Sequence, residues 1–445
     1  MVSLGCPKNR VDSEVILGLL GEKGYTLSEN PAAADIIIIN TCTFIRKATD
    51  ESIESILHYA ALKETGNCRL LVVAGCLTQR YQEELKEELP EVDLFVGTGE
   101  YQRIAELILE SKKDGQVVAA GKPLYIHDFN TPRLSTTPFY SSYVKIAEGC
   151  SNTCTFCIIP QLRGEYRSRS EDSILKEVQN LTLKGTKEFN LIAQDTTAYG
   201  RDIYPSTSLS NLLSKLVTVD GAEWIRLLYC YPTLLDDELI DLIGKEEKIV
   251  KYVDIPLQHI DNNILKSMKR GTREAMIREL IRKLKDRVPG IALRSAFIVG
   301  FPGEGQKEFE KLLHFMEETE FDHLGIFTYS REDDTSAASM PSQVPENIKE
   351  ERFNMAMELQ QRISLKKNRE FIGREVDVLI EGVSEETELL LQGRTSFQAP
   401  EIDGITYINS GTAQIGEIRR VLITDAHPYD LVGEIVDADA TKIAV

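Results

Sequence analysis

The sequence lacks any hydrophobic run long enough to cross a bilayer. Its longest apolar stretches, IIII at 36–39 and LLVVA at 70–74, are far shorter than the roughly 20 residues that a transmembrane helix needs. The amino terminus also lacks a basic segment followed by an apolar stretch, which is the pattern of a secretory signal. These absences argue against a membrane protein, and we expect a cytoplasmic location.

An excess of positive charge is missing as well. The 445 residues carry 51 Lys or Arg against 70 Asp or Glu, a formal net charge of −19. A protein this acidic repels phosphate backbones and attracts basic partners, unless it carries a local basic stripe. Low-complexity segments and internal repeats beyond strand–helix units are also absent. The length and the 42% hydrophobic content suffice for two or three domains.

Cysteine, in contrast, is present eight times. Cytosolic thiols are kept reduced, so disulfides are not expected in that compartment. Clustered cysteines there more often bind metal or perform redox chemistry, and metal binding is the leading interpretation.

The first region, residues 1–125, alternates short apolar runs with helical stretches. ADIIIIN at 34–40 and RLLVVAG at 69–75 are rich in β-branched residues, and TQRYQEELKEELP has a helical pattern. This alternation predicts a parallel α/β sheet.

Three cysteines of this region each follow a predicted strand. Cys6 comes after VSLG, Cys42 after IIIINT and Cys76 after LLVVAG. The carboxyl ends of strands in an open α/β sheet lie along one edge, where ligands bind, so the three thiolates are expected to converge on one site. The alternative is that each is an ordinary buried cysteine. Cys68 and Cys230 lack this placement and are predicted to be structural.

The second region, residues 137–335, repeats a strand and a helix. The predicted strands are SYVKIA at 142–147, EFNLIA at 188–193, WIRLLY at 224–229, KYVDIP at 251–256, LRSAFIVG at 293–300 and HLGIFTY at 323–329. Six such units are fewer than the eight of a closed barrel, so we predict an incomplete (β/α)6 barrel with functional loops after its strands.

The remaining chain changes character twice. Residues 346–372 read as an amphipathic connecting helix. Residues 373–437 contain short strands separated by Gly and Asp turns, which predicts a small antiparallel β-barrel. The fold class is therefore α/β with a terminal β module.

The loop after the first barrel strand, GCSNTCTFC at 149–157, places Cys150, Cys154 and Cys157 within eight positions. Three thiolates can hold three corners of an Fe-S cube and leave its fourth iron open. The amino and carboxylate groups of a methionine moiety would suit that iron. The alternative is a zinc site with a fourth ligand from elsewhere.

This loop resembles the signature of the radical S-adenosylmethionine (SAM) superfamily. The resemblance implies that a 4Fe-4S cluster donates an electron to SAM, releasing methionine and a 5′-deoxyadenosyl radical that removes an unactivated hydrogen. It also implies that Phe156 lies near the adenine and that Gly300 and Gly303 of FIVGFPGE contact SAM. Many relatives have Thr after the Glu of that motif, where this chain has Gly305.

Further motifs resemble the methylthiotransferases within that superfamily, over nearly the whole chain. They are SLGCPKNRVDSE at 3–14, NTCTF at 40–44, VAGCLTQRY at 73–81, FCIIPQLRGEYRSRS at 156–170 and DIPLQHI at 254–260, followed by a module similar to a TRAM domain. The resemblance implies that Cys6, Cys42 and Cys76 bind a second 4Fe-4S cluster, and that Gln258 contributes to the SAM site. That cluster is implied to hold the sulfur, which is methylated by one SAM and joined to a carbon radical made with another.

The family divides between enzymes that modify a tRNA adenosine and enzymes that modify the β-carbon of an aspartate in the twelfth small-subunit ribosomal protein. Residues 374–436 contain four Lys or Arg and twelve Asp or Glu, a net charge of −8. A tRNA-binding module should be basic, whereas an acidic module attracts a basic ribosomal protein. The motifs LGCPKNRVDSE, CYPTLLDDELI and DIPLQHI also resemble the ribosomal-protein branch more closely, so that substrate is predicted.

Two alternatives remain open: a tRNA methylthiotransferase, and a non-enzymatic Fe-S carrier or electron-transfer protein. The predicted enzyme needs an electron donor such as flavodoxin or ferredoxin, and a sulfur donor. No residue is predicted to guide the radical to its hydrogen.

Basic residues follow the cysteine loop closely at Arg163, Arg167 and Arg169. We expect at least one to pair with the SAM carboxylate or the substrate aspartate, with a solvated surface as the alternative. His259 is predicted to be a packed strand-end residue rather than a catalyst.

Overall fold

Runs of β-branched residues build a five-stranded parallel sheet at the amino-terminal end. In the computed structural model, which describes residues 1–203 and 208–436, neighbouring strands follow one another in chain order. The strands are β1 (Val2–Ser3), β2 (Ile36–Thr41), β3 (Leu70–Gly75), β4 (Leu94–Val96) and β5 (Val117–Ala119). The helices are α1 (Pro7–Glu22), α2 (Arg46–Ala60), α3 (Leu62–Thr65), α4 (Cys76–Tyr81), α5 (Glu84–Glu88) and α6 (Ile104–Asp114). Every residue of β3 is buried, as expected for a strand covered on both faces.

The six strands predicted for the second region are all present and belong to one open parallel sheet. They are β6 (Ser141–Lys145), β9 (Glu188–Ile192), β10 (Trp224–Leu227), β11 (Ile249–Gln258), β12 (Ala292–Val299) and β13 (His323–Thr328). A short antiparallel pair, β7 (Ala147–Glu148) and β8 (Arg167–Ser168), flanks the cysteine loop. The partial (β/α)6 barrel predicted from the sequence is therefore confirmed.

Helices alternate with these strands. They are α7 (Ile159–Arg163), α8 (Glu171–Thr182), α9 (Leu209–Leu216), α10 (Asp237–Lys245), α11 (Asn262–Ser267), α12 (Glu274–Arg287) and α13 (Gln306–Thr319). Ser170 caps α8 by accepting a hydrogen bond from the Ser173 backbone N–H, and Asp236 and Asp261 cap α10 and α11 in the same way. The long helix α14 (Glu346–Arg369) follows, close to its predicted bounds.

The chain ends in a closed five-stranded barrel in the order β14-β15-β16-β18-β17. Its strands are β14 (Glu375–Val383), β15 (Leu391–Thr395), β16 (Thr406–Ser410), β17 (Ile418–Ala426) and β18 (Leu431–Ile435). Four of the five strand pairs are antiparallel, and β16 with β18 is parallel. The predicted module ends at residue 437, which lies outside the described residues.

The described chain divides into two compact units. The first contains Met1–Lys184, Phe189–Asp220 and Ser330–Ser339, and the second contains Gly185–Glu188, Gly221–Tyr329 and the residues from Met340 onward. The terminal barrel thus belongs to the same unit as β10 to β13. Among the described helices, none combines the length and apolar character that a membrane span requires.

A buried ion network in the second unit fixes the terminal barrel. Arg394 on β15 contacts Glu188 at 2.7 Å, and Arg226 on β10 contacts the same carboxylate at 3.0 Å. All three side chains are at most 2% exposed. Burial alone would lower the pKa of Arg394, but the carboxylates of Glu188 and Glu381 raise it above its usual value. The barrel is therefore held by charges that cannot be separated without leaving one of them buried and unpaired.

Candidate metal centres

Three cysteines lie immediately beyond the carboxyl ends of three neighbouring strands in the first unit. Cys6 follows β1, Cys42 follows β2, and Cys76 follows β3 as the first residue of α4. A Cβ built on Gly5 would lie 2.6 Å from the Cys42 Cβ and 2.9 Å from its Sγ. Gly5 also has φ +84°, which favours glycine. The turn that carries Cys6 is therefore packed directly against Cys42.

The three thiols interact electrostatically. Burial, and after it the nearby thiolates of Cys76 and Cys6, raise the pKa of Cys42 to about 12. Burial also raises the pKa of Cys76, an effect that Arg163 opposes and Cys6 reinforces. Cys76 is buried and the other two are partly exposed. Three thiolates that repel one another can all be anionic only if positive charge compensates them, and soft thiolates suit Fe-S clusters. The donor set fits a cluster with three cysteine ligands.

Within residues 1–203 and 208–436, no three His, Cys, Asp or Glu side chains are grouped closely enough to hold a single metal ion. A 4Fe-4S cluster does not require such close grouping, because each cysteine binds a different iron.

Buried polar side chains hold these loops in place. The Asn9 side-chain amide donates to the carbonyl of Leu4 at 2.7 Å and to that of Thr41 at 3.2 Å. Asn40 returns a hydrogen bond to the Asn9 carbonyl at 2.8 Å. The Ser52 hydroxyl donates to the Cys42 carbonyl at 2.8 Å and accepts from its N–H at 3.1 Å. The strand ends are thus tied to α1 and α2 by side chains as well as by the sheet.

The other three cysteines lie in the loop between β7 and α7, also in the first unit. Cys150 is buried, whereas Cys154 and Cys157 are partly exposed. Gly149, at φ +79°, begins the loop, and a Cβ there would lie 2.1 Å from the Glu165 carbonyl oxygen. The Cys157 N–H donates to the Cys154 carbonyl at 3.2 Å. Two of the three sulfurs thus lie on an accessible loop, as an open cluster site requires.

An amide side chain contacts the buried cysteine of this loop. Asn152 Nδ2 lies 3.4 Å from the Cys150 sulfur and donates to Asp195 Oδ2 at 2.9 Å. Burial raises the pKa of Cys150, and hydrogen bonds from Asn152 oppose this effect. Phe156 lies in the same loop and is half-buried. Asn152 is therefore a neutral donor that is itself fixed by a carboxylate.

Arg163 makes the corresponding contact to the strand-end cysteines. Its Nη2 lies 3.4 Å from the Cys76 sulfur and 2.9 Å from Asn9 Oδ1. Its Nη1 contacts Asp12 Oδ2 at 2.5 Å and Glu148 Oε2 at 3.4 Å. The residue is 2% exposed. Arg163 is thus a buried cation held against a candidate cluster ligand.

Lys145 completes a buried quartet of charges with Arg163, Asp12 and Glu148. Its ammonium group pairs with Asp12 and, at 2.6 Å, with Glu148 Oε2. The other Glu148 oxygen accepts from Gln194 at 2.6 Å and from the N–H of Gly149 at 3.2 Å. The formal charges of the quartet cancel, and its members connect the base of the 149–157 loop to α1 and to Cys76.

Arg169 and Arg167 have different surroundings. Arg169 is 2% exposed and contacts Glu177 at 2.5 Å, so its carboxylate partner comes from the protein itself. Arg167 donates to the carbonyls of Glu165 and Arg163 at 2.6 and 3.1 Å. The expectation of pairing with an external carboxylate does not fit Arg163 or Arg169, because both are buried in internal ion pairs.

The segment Ser330–Ser339 contacts both cysteine loops within the first unit. Arg80, on α4, pairs with Glu332 at 2.8 Å, and both side chains are nearly buried. The same guanidinium donates to the carbonyl of Thr43, next to Cys42, at 3.3 Å. The Ala337 N–H donates to the carbonyl of Thr155 in the other loop at 2.9 Å. A distant part of the chain therefore closes the candidate site.

The predicted SAM-contacting residues Gln258, Gly300 and Gly303 lie in the second unit, at or just beyond the carboxyl ends of β11 and β12. A Cβ at Gly300 would lie 2.3 Å from Lys349 Cγ, whereas one at Gly303 would meet nothing within 4 Å. Gln258 has φ +73°, an uncommon conformation for a residue other than glycine. Gly300 is thus required by packing, and Gly303 has open space at its Cα.

The residues predicted to be structural are buried. His259 is fully buried, and its Nδ1 accepts from the Asp261 N–H at 2.9 Å. Cys68 and Cys230 are 5% and 1% exposed. Gly305 is the N-cap residue of α13, and its N–H donates to Glu308 Oε2 at 3.0 Å.

Sequence reasoning missed the polar residues behind the cysteines. Asn9, Asp12, Glu148, Asn152 and Asp195 are half-buried or buried and hydrogen-bonded around the two loops. Asn9 and Asp12 follow Cys6 at intervals of three on α1, which places them on one helix face. This three-residue spacing is the sequence signal that identifies Asn9 and Asp12 as neighbours of Cys6.

Three protein-family models match separate parts of the chain. Residues 1–97 match the uncharacterized protein family UPF0004, residues 144–316 the radical SAM superfamily and residues 372–436 the TRAM domain. The ribosomal protein uS12 methylthiotransferase RimO of Geotalea uraniireducens is 56% identical over 98% of both chains. The protein of the same name from Geobacter sulfurreducens is 54% identical over 98% of both chains.

Solved structures share the fold at low identity. The radical SAM methyltransferase TsrM of Kitasatospora setae superposes with a TM-score of 0.55 at 16% identity, covering 74% of this chain and 70% of TsrM. The cobalamin-dependent SAM radical enzyme OxsB superposes with a TM-score of 0.50 at 13% identity, covering 79% of this chain and 53% of OxsB. Because the chain is 56% and 54% identical over 98% of its length to the two uS12 methylthiotransferases above, it belongs to the ribosomal protein uS12 methylthiotransferase family of the radical SAM superfamily.

Proposed function

We propose that the chain attaches a methylthio group to the β-carbon of an aspartate in ribosomal protein uS12. The proposal assigns one 4Fe-4S cluster to Cys150, Cys154 and Cys157 and a second to the strand-end cysteines at 6, 42 and 76. The observation that carries it is the presence of two three-cysteine sets in one compact unit, connected by a buried charge quartet. Residues 1–125, 137–335 and 373–437 are the corresponding second-cluster, radical SAM and TRAM-like domains, with the helix at 346–372 as their connector.

The two cysteine sets suit different tasks. Bound at the 149–157 loop, a reduced cluster and SAM supply a methyl group and a radical able to remove an unactivated hydrogen. Cys154 and Cys157 keep the loop accessible, and three ligands leave one iron for SAM. Phe156, which is half-buried in that loop, is proposed to contact the adenine. Burial raises the pKa of both Cys42 and Cys76, and exclusion of water around these thiols would protect a sulfur awaiting transfer.

The SAM site is proposed to include Gln258, Gly300 and Gly303. Gln258 holds a strained backbone conformation at a strand end, and such strain concentrates at functional sites. The open space at Gly303 allows a ligand to approach the backbone. Both features support the assignment made from the motifs.

The terminal barrel supports a basic protein as substrate. Eight of its twelve acidic residues are exposed: Glu375, Asp377, Glu385, Glu386, Glu388, Glu401, Asp425 and Glu434. Of its four arginines, Arg394 is buried and Arg419 and Arg420 already pair with acidic neighbours. Such a surface repels tRNA phosphates and attracts a basic protein. A flavodoxin- or ferredoxin-type reductant and a separate sulfur donor complete the proposal.

The deciding experiment offers both substrate classes together. Reduced, anaerobically reconstituted protein is given methyl-labelled SAM with small ribosomal subunits and tRNA, and the label is located. Label on uS12 is expected, and Cys154→Ala should give none. Label on tRNA would show that tRNA, and not uS12, is the substrate. Failure to cleave SAM after reduction would favour the non-enzymatic Fe-S carrier.

A further inference from the structure

One buried guanidinium group joins the segment Ser330–Ser339 to the turn that carries Cys42. Arg80 Nη1 lies 2.8 Å from Glu332 Oε2, and both side chains are nearly buried. The same nitrogen donates to the Thr43 carbonyl at 3.3 Å. Removing either charged partner would leave the other charge buried without its counterpart, so this ion pair resists opening.

The other end of the segment contacts the 149–157 loop and the helix that follows it. The Ala337 N–H donates to the Thr155 carbonyl at 2.9 Å, one residue from a candidate ligand, and both residues are buried. Gln161 on α7 donates through Nε2 to the Asp334 carbonyl at 3.1 Å. The segment is therefore connected to both cysteine sets, in each case beside a candidate ligand.

These connections are separate from the buried charge quartet. The quartet reaches Cys76 through Arg163, which lies beyond the end of the 149–157 loop. The segment is connected instead to Thr43 and to the middle of the loop at Thr155. A loop that is held at one point can rotate about it, whereas contacts at two separated points fix its orientation. The segment thus supplies a second contact that orients the loop towards the strand-end cysteines.

We propose that Arg80 and Glu332 are positioning residues that hold the two cysteine sets in the arrangement needed for methylthio transfer. The inference rests on the two-cluster function proposed above, because transfer involves both sets whereas SAM cleavage involves only the 149–157 loop. Opening the ion pair leaves the contacts of Thr155 and Gln161 in place, so SAM cleavage should continue. A misplacement of about 1 Å can slow a reaction about 100-fold, so transfer should suffer.

The test compares Arg80→Met, Glu332→Ala and the double replacement with the unaltered chain. Each reconstituted protein is reduced and given SAM and small ribosomal subunits, and both 5′-deoxyadenosine and the methylthio groups on uS12 are counted. Each single replacement should lower the number of methylthio groups per 5′-deoxyadenosine at least about tenfold, at normal iron content. The double replacement should be no worse than either single one, because both act through one contact.

Arg133→Met is the matched control. Arg133 pairs with Glu14 and Glu177 in the same unit, both at 2.6 Å, and none of these residues belongs to either cysteine loop. Its replacement should destabilise the unit but leave the product ratio unchanged. Glu332→Gln retains an acceptor for Arg80 and serves if Glu332→Ala loses iron; it should lower the ratio by a smaller factor.

Hydrogen exchange provides a readout that needs no turnover. The N–H of Arg46, at the start of α2, donates to Ser330 Oγ at 3.2 Å. Opening the Arg80–Glu332 pair should release this contact, so Glu332→Ala should speed exchange in peptides that contain Arg46. Arg133→Met should leave exchange there unchanged.

An unchanged product ratio in Arg80→Met and Glu332→Ala proteins with normal iron content would overturn the inference alone. An equal fall in the Arg133→Met protein would also overturn it, because it would indicate general destabilisation of the unit. Absence of methylthio groups on uS12 with the unaltered chain would overturn the proposed function, and the inference with it.

Discussion

Glu188 is the carboxylate on which the buried ion network of the second unit depends. Replacing it with Gln removes one negative charge from between Arg226 and Arg394, which contact it at 3.0 and 2.7 Å. Breaking a buried ion pair by removing one partner costs about 3–5 kcal/mol. Gln retains one acceptor oxygen, and Glu381 still contacts Arg394 at 2.8 Å. We therefore expect a loss of unfolding free energy at the lower end of this range, about 3 kcal/mol.

The chain carries its own reporter for this measurement. Its one tryptophan, Trp224, lies on β10 two residues before Arg226 and is 8% exposed. Urea unfolding followed by its fluorescence should show a midpoint lowered by about 1 M, taking a slope of about 3 kcal/mol per M.

A surface pair provides the matched control. Glu279 pairs with Arg282 while 49% exposed, and solvent screens such a pair, so Glu279→Gln should shift the urea midpoint far less than Glu188→Gln does. Adding Arg226→Met to Glu188→Gln should recover part of the lost stability, because it removes one unpaired cation. A decrease below about 1 kcal/mol for Glu188→Gln would refute the argument that buried charge pairing holds the barrel in place.

Three further predictions concern the candidate site. Cys42→Ala should abolish methylthio transfer yet preserve reductive SAM cleavage, whereas Cys154→Ala should stop both reactions. Full methylthiolation of uS12 by the Cys42→Ala protein, measured by mass spectrometry, would contradict the second-cluster assignment. Gly149→Ala should prevent iron loading of the loop, because the new Cβ would lie 2.1 Å from the Glu165 carbonyl oxygen. Gly290→Ala is the control: Gly290 has a similar φ and nothing within 4 Å, so this variant should keep its normal iron content and lose only about 1–2 kcal/mol of unfolding free energy. Burial opposes ionisation of Glu177, but the guanidinium groups of Arg169 and Arg133, which contact it at 2.5 and 2.6 Å, lower its pKa. The stabilisation that Glu177 gives is therefore present above its unfolded pKa and is lost as pH falls through the lower folded value. The cost of Glu177→Gln in urea unfolding should therefore be large at pH 7 and shrink below about pH 4; a cost independent of pH would contradict this.

Local patterns predicted much of the fold because its strands are short apolar runs. The six barrel strands and α14 lie within a few residues of their predicted bounds, and the cysteines at 6, 42 and 76 follow strands as expected. Each of these features depends on neighbouring residues alone.

Arg163 shows what local patterns could not supply. Its basic neighbours made it look like a ligand for an external carboxylate, but its partner Asp12 is 151 positions away. Such a pairing exists only after the chain has folded. The backbone strain at Gln258 also has no local signal, because glutamine rarely adopts φ +73°.

The segment Ser330–Ser339 has a consequence for the order of events during synthesis. All six candidate ligands have been made by residue 157, but Glu332 and Ala337, which contact Arg80 and the cysteine loop, come more than 170 residues later. Domains generally fold as units during synthesis. The first unit includes Ser330–Ser339, so its contacts with Arg80 and the cysteine loop cannot form until residue 339 has left the ribosome. Stable insertion of metal is therefore a late step, and a nascent chain stopped before residue 330 would carry every ligand without a finished site.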